Sequence, residues 1–224
     1  MSHLSLVRHQ EIFNPKLHNP PIVIIGAGAT GSRLWLSLVE LGLTDIAIYD
    51  FDVVEEHNLA NQIYLKHHVG MPKVAALRDY YELKTGNKAP ESLRFYEQRV
   101  DRNTSDLAGV LFLLTDTMAS RKEIFDHCTS AVGYMIETRM ASAYGNIFTV
   151  NMCDQEQRSK WRGTLLDDDD PNIEVSACGS SISVGCTASL IANMAVWSFI
   201  QLFTMPEVVS DRVDAYFKPF LMAS

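Results

Sequence analysis

The chain has too little positive charge to bind nucleic acid through phosphates alone. Its 224 residues include 19 Lys and Arg against 27 Asp and Glu, a formal net charge of −8. Proteins that bind DNA or RNA without sequence preference need a basic surface that neutralises phosphates. We therefore expect no nucleic-acid partner. A small anionic ligand is still compatible with this charge, because it needs only one local group of donors.

Cysteine is also scarce, and its spacing excludes the common cysteine-based sites. No two of the four cysteines form a Cys-x-x-Cys pair, so neither a zinc ribbon nor a thioredoxin-type redox site is indicated. A disulfide framework is not expected in a chain of this size, and we expect a reducing, cytoplasmic location. The N-terminal residues lack the apolar segment of a signal peptide.

Charged residues are missing altogether from residues 182–205. This stretch is long enough to cross a bilayer. Polar side chains recur along it, however, and no cluster of Lys or Arg flanks it. We therefore expect a buried core helix over 181–205 and no membrane partner.

Short apolar runs alternate with helical patterns along the first two thirds of the chain. Strands are expected at Ile22–Ile25, Ile46–Tyr49, Leu93–Val100, Val110–Leu114 and Tyr134–Glu137. Helices are expected between the first two strands, from Pro72 to about Lys84, and over Met118–Ala131. This alternation predicts an α/β fold with a doubly wound, Rossmann-like, mainly parallel sheet.

The pattern changes after residue 137. We expect a strand at Gly145–Met152, a long loop over 154–180, the core helix, and a tail at Val208–Phe217 that could add an edge strand. The loop contains Asp167–Asp170, a run typical of solvated loops, although it could also hold a basic partner segment. A single domain over 1–224 with an N-terminal arm over 1–20 is expected.

A Gly-x-Gly-x-x-Gly pattern, formed by Gly26, Gly28 and Gly31, lies between the first strand and the first helix. Such glycines permit a tight turn, close approach of backbone N–H groups to a phosphate, and close packing of helix on strand. Asp50 ends the second strand, where a carboxylate can hold a ribose diol. An NAD-dependent oxidoreductase is compatible with these features, and so is a purely structural turn.

The segment from residue 50 to residue 73 resembles the ThiF/MoeB superfamily, the fold of the ubiquitin-activating enzymes. The resemblance rests on an Asp-x-Asp, an Asn-Leu followed by Gln, a Gly-x-x-Lys and a later Thr-Asp. The matching residues are Asp50 and Asp52, then Asn58, Leu59 and Gln62, then Gly70 and Lys73, and finally Thr115 and Asp116. With the glycine pattern they extend the resemblance over about residues 8–205.

The resemblance implies ATP-dependent adenylation of a carboxylate, the C-terminal glycine of a ubiquitin-like or sulfur-carrier protein. It implies that Asp50 binds ribose, that Asn58 and Lys73 contact the phosphates, and that Asp116 holds Mg²⁺. The binding set also includes the three glycines, Asp52, Asn61 and Gln62. Ordinary structural roles stay open: Asp50 as a strand-end cap, Lys73 as a solvated lysine, and Asp116 as the N-cap of the next helix.

One position departs from the family pattern. The family has arginine where this chain has Asn61, so one fixed positive charge near the triphosphate is missing. Asparagine donates a hydrogen bond but carries no charge. Either Arg33 or Arg8 could compensate. Arg8 resembles a family arginine that reaches the neighbouring subunit's nucleotide, which implies a homodimer, although it could equally be a surface arginine.

Two further residues are candidates with structural alternatives. Cys178 precedes the long apolar helix, whose N-terminus favours a thiolate, and some family members transfer the carrier to a cysteine. A small buried cysteine beside a helix is equally compatible. Arg139 follows a strand at the edge of the sheet where ligands bind, as a binding residue or in a structural ion pair.

Three functions therefore remain. The leading hypothesis is a ThiF-type adenylyltransferase that uses ATP and Mg²⁺. The second is a non-catalytic nucleotide-binding or assembly protein of the same fold, because Asn61 replaces the arginine. The third is an NAD-dependent oxidoreductase, which rests on the glycine pattern and Asp50 alone.

Overall fold

A computed structural model describes residues 4–105, 107–128, 130–166, 184–218 and 220–223. The strands are β1 Ile22–Ile25, β2 Ile46–Tyr49, β3 Leu93–Tyr96, β4 Gly109–Leu113, β5 Val132–Met140, β6 Tyr144–Asn151, β7 Arg212–Phe217 and β8 Phe220–Ala223. The helices are α1 Ala29–Glu40, α2 Lys73–Thr85, α3 Met118–His127, α4 Gln155–Arg162 and α5 Gly185–Thr204. Three short 3-10 turns, at Glu56–Ala60, Lys66–His68 and Pro206–Val208, complete the described elements.

These strands form one eight-stranded sheet in the order β3-β2-β1-β4-β5-β6-β7-β8. Strands β1 to β5 pair in parallel, and β6, β7 and β8 continue the sheet as antiparallel strands. Because β1 lies between β2 and β4, the strand order reverses direction beside it. This confirms the α/β, doubly wound, mainly parallel prediction, and it places the ends of β1, β2 and β4 at the switch point where such folds bind ligands.

Alternate residues of the central strands pack into two separate hydrophobic cores. Ile24 belongs to the core under α1, α2 and α5, whereas Val23 and Ile25 belong to the core under α3 and α4. Both faces are covered, which explains why these strands are continuous apolar runs instead of alternating ones. The N-terminal arm joins the first core, since Phe13 is buried against Phe199 of α5 with ring centroids 5.8 Å apart.

Helix α5 is the charge-free stretch of the sequence. It packs against α1, β5 and β6, and nine of its residues are buried. Its mean hydropathy is 1.4 over an 18-residue window. By length and composition only, it is the one described helix long and apolar enough to span a membrane. Half of that window is buried inside the protein. The helix is shorter than the expected 181–205, because it begins at Gly185.

Several elements differ from their predicted bounds. Strand β3 ends at residue 96 and α3 at residue 127, both earlier than expected, whereas β5 extends to residue 140. The extension has a physical reason, since antiparallel pairing with β6 continues from Tyr134 to Met140, beyond the last parallel pair with β4.

Two predictions for the second half of the chain were wrong. Part of the expected 154–180 loop is helix α4, whose first turn is capped by the Asp154 side chain accepting from the N–H groups of Glu156 and Gln157. The tail strand β7 is not at the edge, because β8 pairs with it and forms the edge of the sheet. Asp167–Asp170 lie outside the described residues.

A fully buried carboxylate, Glu137 of β5, joins three elements on one face of the sheet. It forms ion pairs with Arg121 of α3 and with Arg139, whose Nε lies 3.0 Å away. Trp161 of α4 donates its ring N–H to the same carboxylate at 3.0 Å. Arg139 also donates to the carbonyl and hydroxyl oxygens of Thr164, at 2.7 and 2.8 Å. Burial, with the nearby charge of Arg212 adding to it, lowers the pKa of Arg139 to about 10.

We predict that Glu137→Ala lowers the free energy of unfolding by about 3–5 kcal/mol, because it leaves buried guanidinium groups without their anion. Glu56→Ala, which removes an exposed partner of Lys66, should cost about 0–1 kcal/mol. Urea denaturation at neutral pH measures both. Equal, small losses in the two variants would show that the buried cluster does not determine stability.

Candidate functional site

The glycine loop between β1 and α1 is packed so tightly that side chains are excluded at two of its positions. Gly26 has a φ of +102°, and a Cβ added there would lie 2.7 Å from the carbonyl oxygen of Leu114. A Cβ at Gly31 would lie 1.9 Å from the carbonyl oxygen of Gly26. The first and third glycines therefore close the loop against β4 and against itself, as the sequence pattern predicts.

The second glycine of the loop faces open space. Nothing lies within 4 Å of a Cβ built at Gly28, which is also the N-cap residue of α1. The first turn of α1 holds no acidic residue, and no side chain caps it. The unpaired N–H groups of a helix N-terminus attract anions. The loop can therefore take an anionic group at Gly28 without moving.

Asp50, at the end of β2, holds the loop in place. Its carboxylate accepts the N–H of Ala27 at 2.6 Å and the N–H of Asp52 at 2.8 Å. Burial raises the pKa of Asp50, while the charge of Lys73 and the two backbone hydrogen bonds oppose that rise. A carboxylate accepts about four hydrogen bonds, so the expected ribose diol could still bind there.

Lys73 is the first residue of α2 and is buried, although lysine is rarely so. Its Nζ donates to the carboxylate of Asp52 at 2.7 Å, and its backbone N–H donates to the carbonyl oxygen of the same residue at 2.9 Å. Lys73 is therefore not the solvated lysine that the sequence left open. Its ammonium retains two further N–H donors, which can meet a phosphate.

Tyr64 is a site residue that the sequence did not indicate. Its side chain is buried, and its hydroxyl donates to the carbonyl oxygen of Ala27 at 2.8 Å. Burial raises the pKa of Tyr64 well above its usual value, and the charges of Asp50 and Asp52 raise it further. Tyr64 therefore stays a neutral donor and ties the segment over 56–64 to the glycine loop.

The polar residues of that segment are positioned in different ways. The Asn58 side chain is buried, and its amide oxygen accepts the N–H of Glu55 at 2.9 Å, which caps the 3-10 turn. The Asn61 carbonyl oxygen accepts from Nε of Arg33 at 3.4 Å. The amide oxygen of Gln62 is buried with no hydrogen-bond partner among the described residues. Asn58 thus has a structural role, whatever else it contacts.

Asp116 follows β4 at the same edge of the sheet. The expected alternative, in which it caps α3, was wrong, because the N-cap is Thr117, whose hydroxyl oxygen accepts the N–H of Ser120 at 3.3 Å. Asp116 is exposed. Beside it, the Thr115 hydroxyl is buried without a partner among the described residues. These are hard oxygen donors of the kind that Mg²⁺ prefers.

Two of the predicted residues that the structure describes do not join this cluster. Arg139 is held by Glu137 and Thr164, which confirms the structural ion pair for that residue. Arg8 is exposed. Two residues before it, Leu6 packs near Gly42, which follows the C-terminus of α1 and so lies at the opposite end of that helix from the glycine loop. Cys178 lies outside the described residues.

A second polar cluster, His67, His68 and Asp79, has the spacing of a metal site. Nδ1 of His68 accepts the N–H of Leu65 at 3.0 Å, so in the neutral ring the proton is on Nε2, which faces the Asp79 carboxylate at 3.0 Å. A nitrogen that carries a proton cannot ligate a metal. Hydrogen bonds from both histidines lower the pKa of Asp79. The cluster therefore anchors the 66–68 turn to α2.

Comparisons with known proteins agree with this geometry. The model of the ThiF family matches residues 3–220. The chain is 26% identical over 157 residues to SUMO-activating enzyme subunit 2 of Dictyostelium discoideum, covering 66% of this chain and 23% of that protein. It is 24% identical over 191 residues to the adenylyltransferase and sulfurtransferase MOCS3 of Culex quinquefasciatus, covering 84% and 42%.

Among solved structures, that of E. coli MccB with ATP matches with a TM-score of 0.67 at 13% identity, covering 95% of this chain and 64% of that one. This likeness concerns the fold alone. The chain spans less than half the length of the two curated relatives, 23% and 42%.

The different surroundings of the glycines generate a stability prediction. Gly31→Ala should lower the free energy of unfolding by about 3 kcal/mol, because its Cβ would overlap the Gly26 carbonyl group and force the backbone to shift. Gly28→Ala should cost less than about 1 kcal/mol, since its Cβ meets nothing and only the N-cap preference changes. Urea denaturation of both variants measures this. A larger loss for Gly28→Ala would contradict the loop geometry.

Proposed function

The chain belongs to the ThiF family, and from that premise we propose that it catalyses ATP-dependent adenylation of a carboxylate. The proposed substrate is the C-terminal glycine of a small ubiquitin-like or sulfur-carrier protein. The observation that carries the proposal is one connected set of contacts, in which Asp50, Asp52 and Lys73 lie directly beside the open glycine loop. Family membership alone implies neither the substrate nor the partner.

In the proposed reaction, a carboxylate oxygen of the carrier attacks the α-phosphorus of ATP. The bond from the α-phosphorus to the bridging oxygen breaks, and pyrophosphate leaves, so that an acyl-adenylate forms. Phosphoryl transfer depends mainly on positioning and on stabilisation of developing negative charge. A protein needs no nucleophile of its own for this step, because the carrier's carboxylate is the nucleophile.

The residues at the loop take distinct proposed roles. Asp50 orients the ribose through the lone pairs that the backbone leaves unused, and the N–H groups near Gly28 meet the phosphates. Lys73, oriented by Asp52, directs its remaining N–H groups toward the same phosphates. These contacts hold the α-phosphorus in place while the carrier's carboxylate approaches.

Mg²⁺ is the proposed metal, and the donors at the end of β4 fit it. Asp116 offers an exposed carboxylate, and next to it in sequence is the Thr115 hydroxyl, which has no partner among the described residues. Magnesium sites that act on nucleotides commonly use one or two carboxylates together with the phosphates. When bound, the ion supplies charge stabilisation for the phosphate oxygens.

The relatives support the chemistry at a coarse level. MOCS3 is an adenylyltransferase and sulfurtransferase, the Dictyostelium protein is a SUMO-activating enzyme subunit, and MccB has been solved with ATP. Because this chain spans less than half of the first two, the sulfurtransferase activity of MOCS3 is not proposed for it.

The remaining proposals concern assembly and location. We propose a cytoplasmic homodimer in which Arg8 serves the partner subunit, since it is exposed and lies away from its own chain's glycine loop. Cys178 remains a proposed acceptor of the activated carrier. No nucleic-acid or membrane partner is proposed.

One observation favours a second candidate function. Asn61 occupies the family's arginine position and carries no charge, which is compatible with a nucleotide-binding or assembly protein that does not turn over. In that case Asn61→Arg should tighten ATP binding without creating exchange activity. The NAD-dependent alternative predicts a preference for NAD over ATP in calorimetry.

The test of the leading proposal is carrier-dependent exchange of labelled pyrophosphate into ATP. We expect exchange with a carrier that ends in glycine and none when that glycine is removed. Lys73→Gln should lower the exchange rate about 100-fold, because a donor to the transferring phosphate is lost. Lys66→Gln, at an exposed lysine of the neighbouring turn, is the matched control and should leave the rate unchanged.

Nucleotide binding is measured separately by calorimetry. Gly28→Ala, which should fold normally, is expected to weaken ATP binding about tenfold or more because its methyl group occupies the open side of the loop. If the protein binds ATP but shows no pyrophosphate exchange in the presence of any carrier, the enzyme proposal is overturned in favour of the second candidate.

A further inference from the structure

The charged side chains around the glycine loop do not neutralise the charge of a bound nucleotide. Asp50 and Asp52 carry two negative charges beside the loop, and Lys73 supplies one positive charge that already pairs with Asp52. The triphosphate of ATP adds several negative charges at the same place. The proposed Mg²⁺ offsets only two of these negative charges, and charges in partly buried sites are screened less than in water, so a further cation near the phosphates would stabilise the bound nucleotide.

Arg33 is the cation that the fold brings to this place. It lies in the second turn of α1, half-buried, and its Nε donates to the Asn61 carbonyl oxygen over a long 3.4 Å. Its Nη2 lies 3.3 Å from the position that a Cβ would take at Gly185, the first residue of α5. Helix α1, the turn that ends near Asn61 and the start of α5 therefore meet around one guanidinium.

The partners of Arg33 set it apart from the other arginines beside this edge of the sheet. Arg121 and Arg139 are both paired with Glu137. Arg33 forms none of the ion pairs found within the part of the chain that the structure describes, and its one hydrogen bond there is to a backbone oxygen. No carboxylate of the described residues therefore neutralises its charge.

The direction of the side chain fits this role. Side chains of an α-helix lean toward its N-terminus, and residue 33 lies about 6 Å along the axis from the first residue of α1. An arginine at this position can therefore reach toward the helix start, where the loop is open at Gly28.

We propose that Arg33 binds the terminal phosphates of the nucleoside triphosphate and replaces the positive charge that Asn61 lacks. This assignment rests on the proposed function. A guanidinium can donate two parallel hydrogen bonds to a phosphate. Gly185 leaves room for it, because a side chain there would crowd Arg33 and the backbone at residues 60 and 61. Arg33 would thereby select a triphosphate over a monophosphate.

Calorimetry with ATP and AMP, each with Mg²⁺, tests the assignment. Arg33→Gln should weaken ATP binding about 10- to 100-fold, the range for hydrogen bonds to a charged group, and AMP binding by less than about threefold. Arg33→Lys should lie between wild type and Arg33→Gln, because it keeps the charge but not the paired donors. Arg102→Gln, at an exposed arginine, controls for net charge and should change neither affinity.

Moving the positive charge from residue 33 to residue 61 gives the sharper test. Asn61→Arg introduced into Arg33→Gln should restore at least part of the ATP affinity, since it places a cation beside the same phosphates from the neighbouring turn. Thermal unfolding of each variant checks that the fold is retained, and a structural role of Arg33 alone would not produce this rescue.

The outcomes separate the two proposals. Unchanged ATP binding in Arg33→Gln, or an equal loss of ATP and AMP, would overturn the role of Arg33 while leaving the proposed function intact. Failure of the wild-type protein to bind ATP at all would overturn the proposed function and this assignment with it.

Discussion

The candidate site depends on the carboxylate of Asp50, which accepts backbone N–H groups from both Ala27 and Asp52. The first bond fixes the glycine loop to the end of β2, and the second fixes the chain that carries Asp52 toward Lys73. Tyr64 donates to the carbonyl oxygen of Ala27, so Ala27 is held through both its N–H and its carbonyl group. The cost of burying Asp50 is visible in its raised pKa. A protein that retains such a group needs the loop in one shape, and a preorganised loop is what binding of an anion requires.

The same constraint creates an electrostatic problem. Two carboxylates stand beside a loop whose open side suits an anion, and Lys73 offsets only one of them. Pairing with Asp52 keeps Lys73 oriented and compensates its burial, but it also reduces the field that a ligand experiences. Helix dipoles and backbone N–H groups add only partial charges. Beside the proposed Mg²⁺, the site therefore gains from a cation that no acidic side chain has already neutralised.

The parallel half of the fold could be predicted from sequence because its central strands, β1, β2 and β4, are short apolar runs buried on both faces and followed by a helix or turn signal. Helix α4 was missed since it buries little besides Trp161, and only the capping Asp154 marked it. Strand β8 carries no local signal distinguishing it from a tail. In the site, the glycines, Asp50 and Lys73 follow family spacing. Tyr64 could not be found in this way, because its partner lies 37 residues away and is a backbone oxygen.

Local pairing, not total charge, decides which ligands an acidic protein of this kind can hold. Arg121 and Arg139 lie beside the ligand-binding edge, yet both are committed to the buried carboxylate of Glu137. Breaking such a pair would leave an uncompensated buried charge, so binding of a phosphate by either guanidinium group would strongly destabilise the protein. Arg33 is different, because its hydrogen bond within the part of the chain that the structure describes is long and goes to a backbone oxygen. A net charge of −8 therefore does not oppose a polyanionic ligand, provided that Lys73 is supplemented at the loop by a cation without a carboxylate partner.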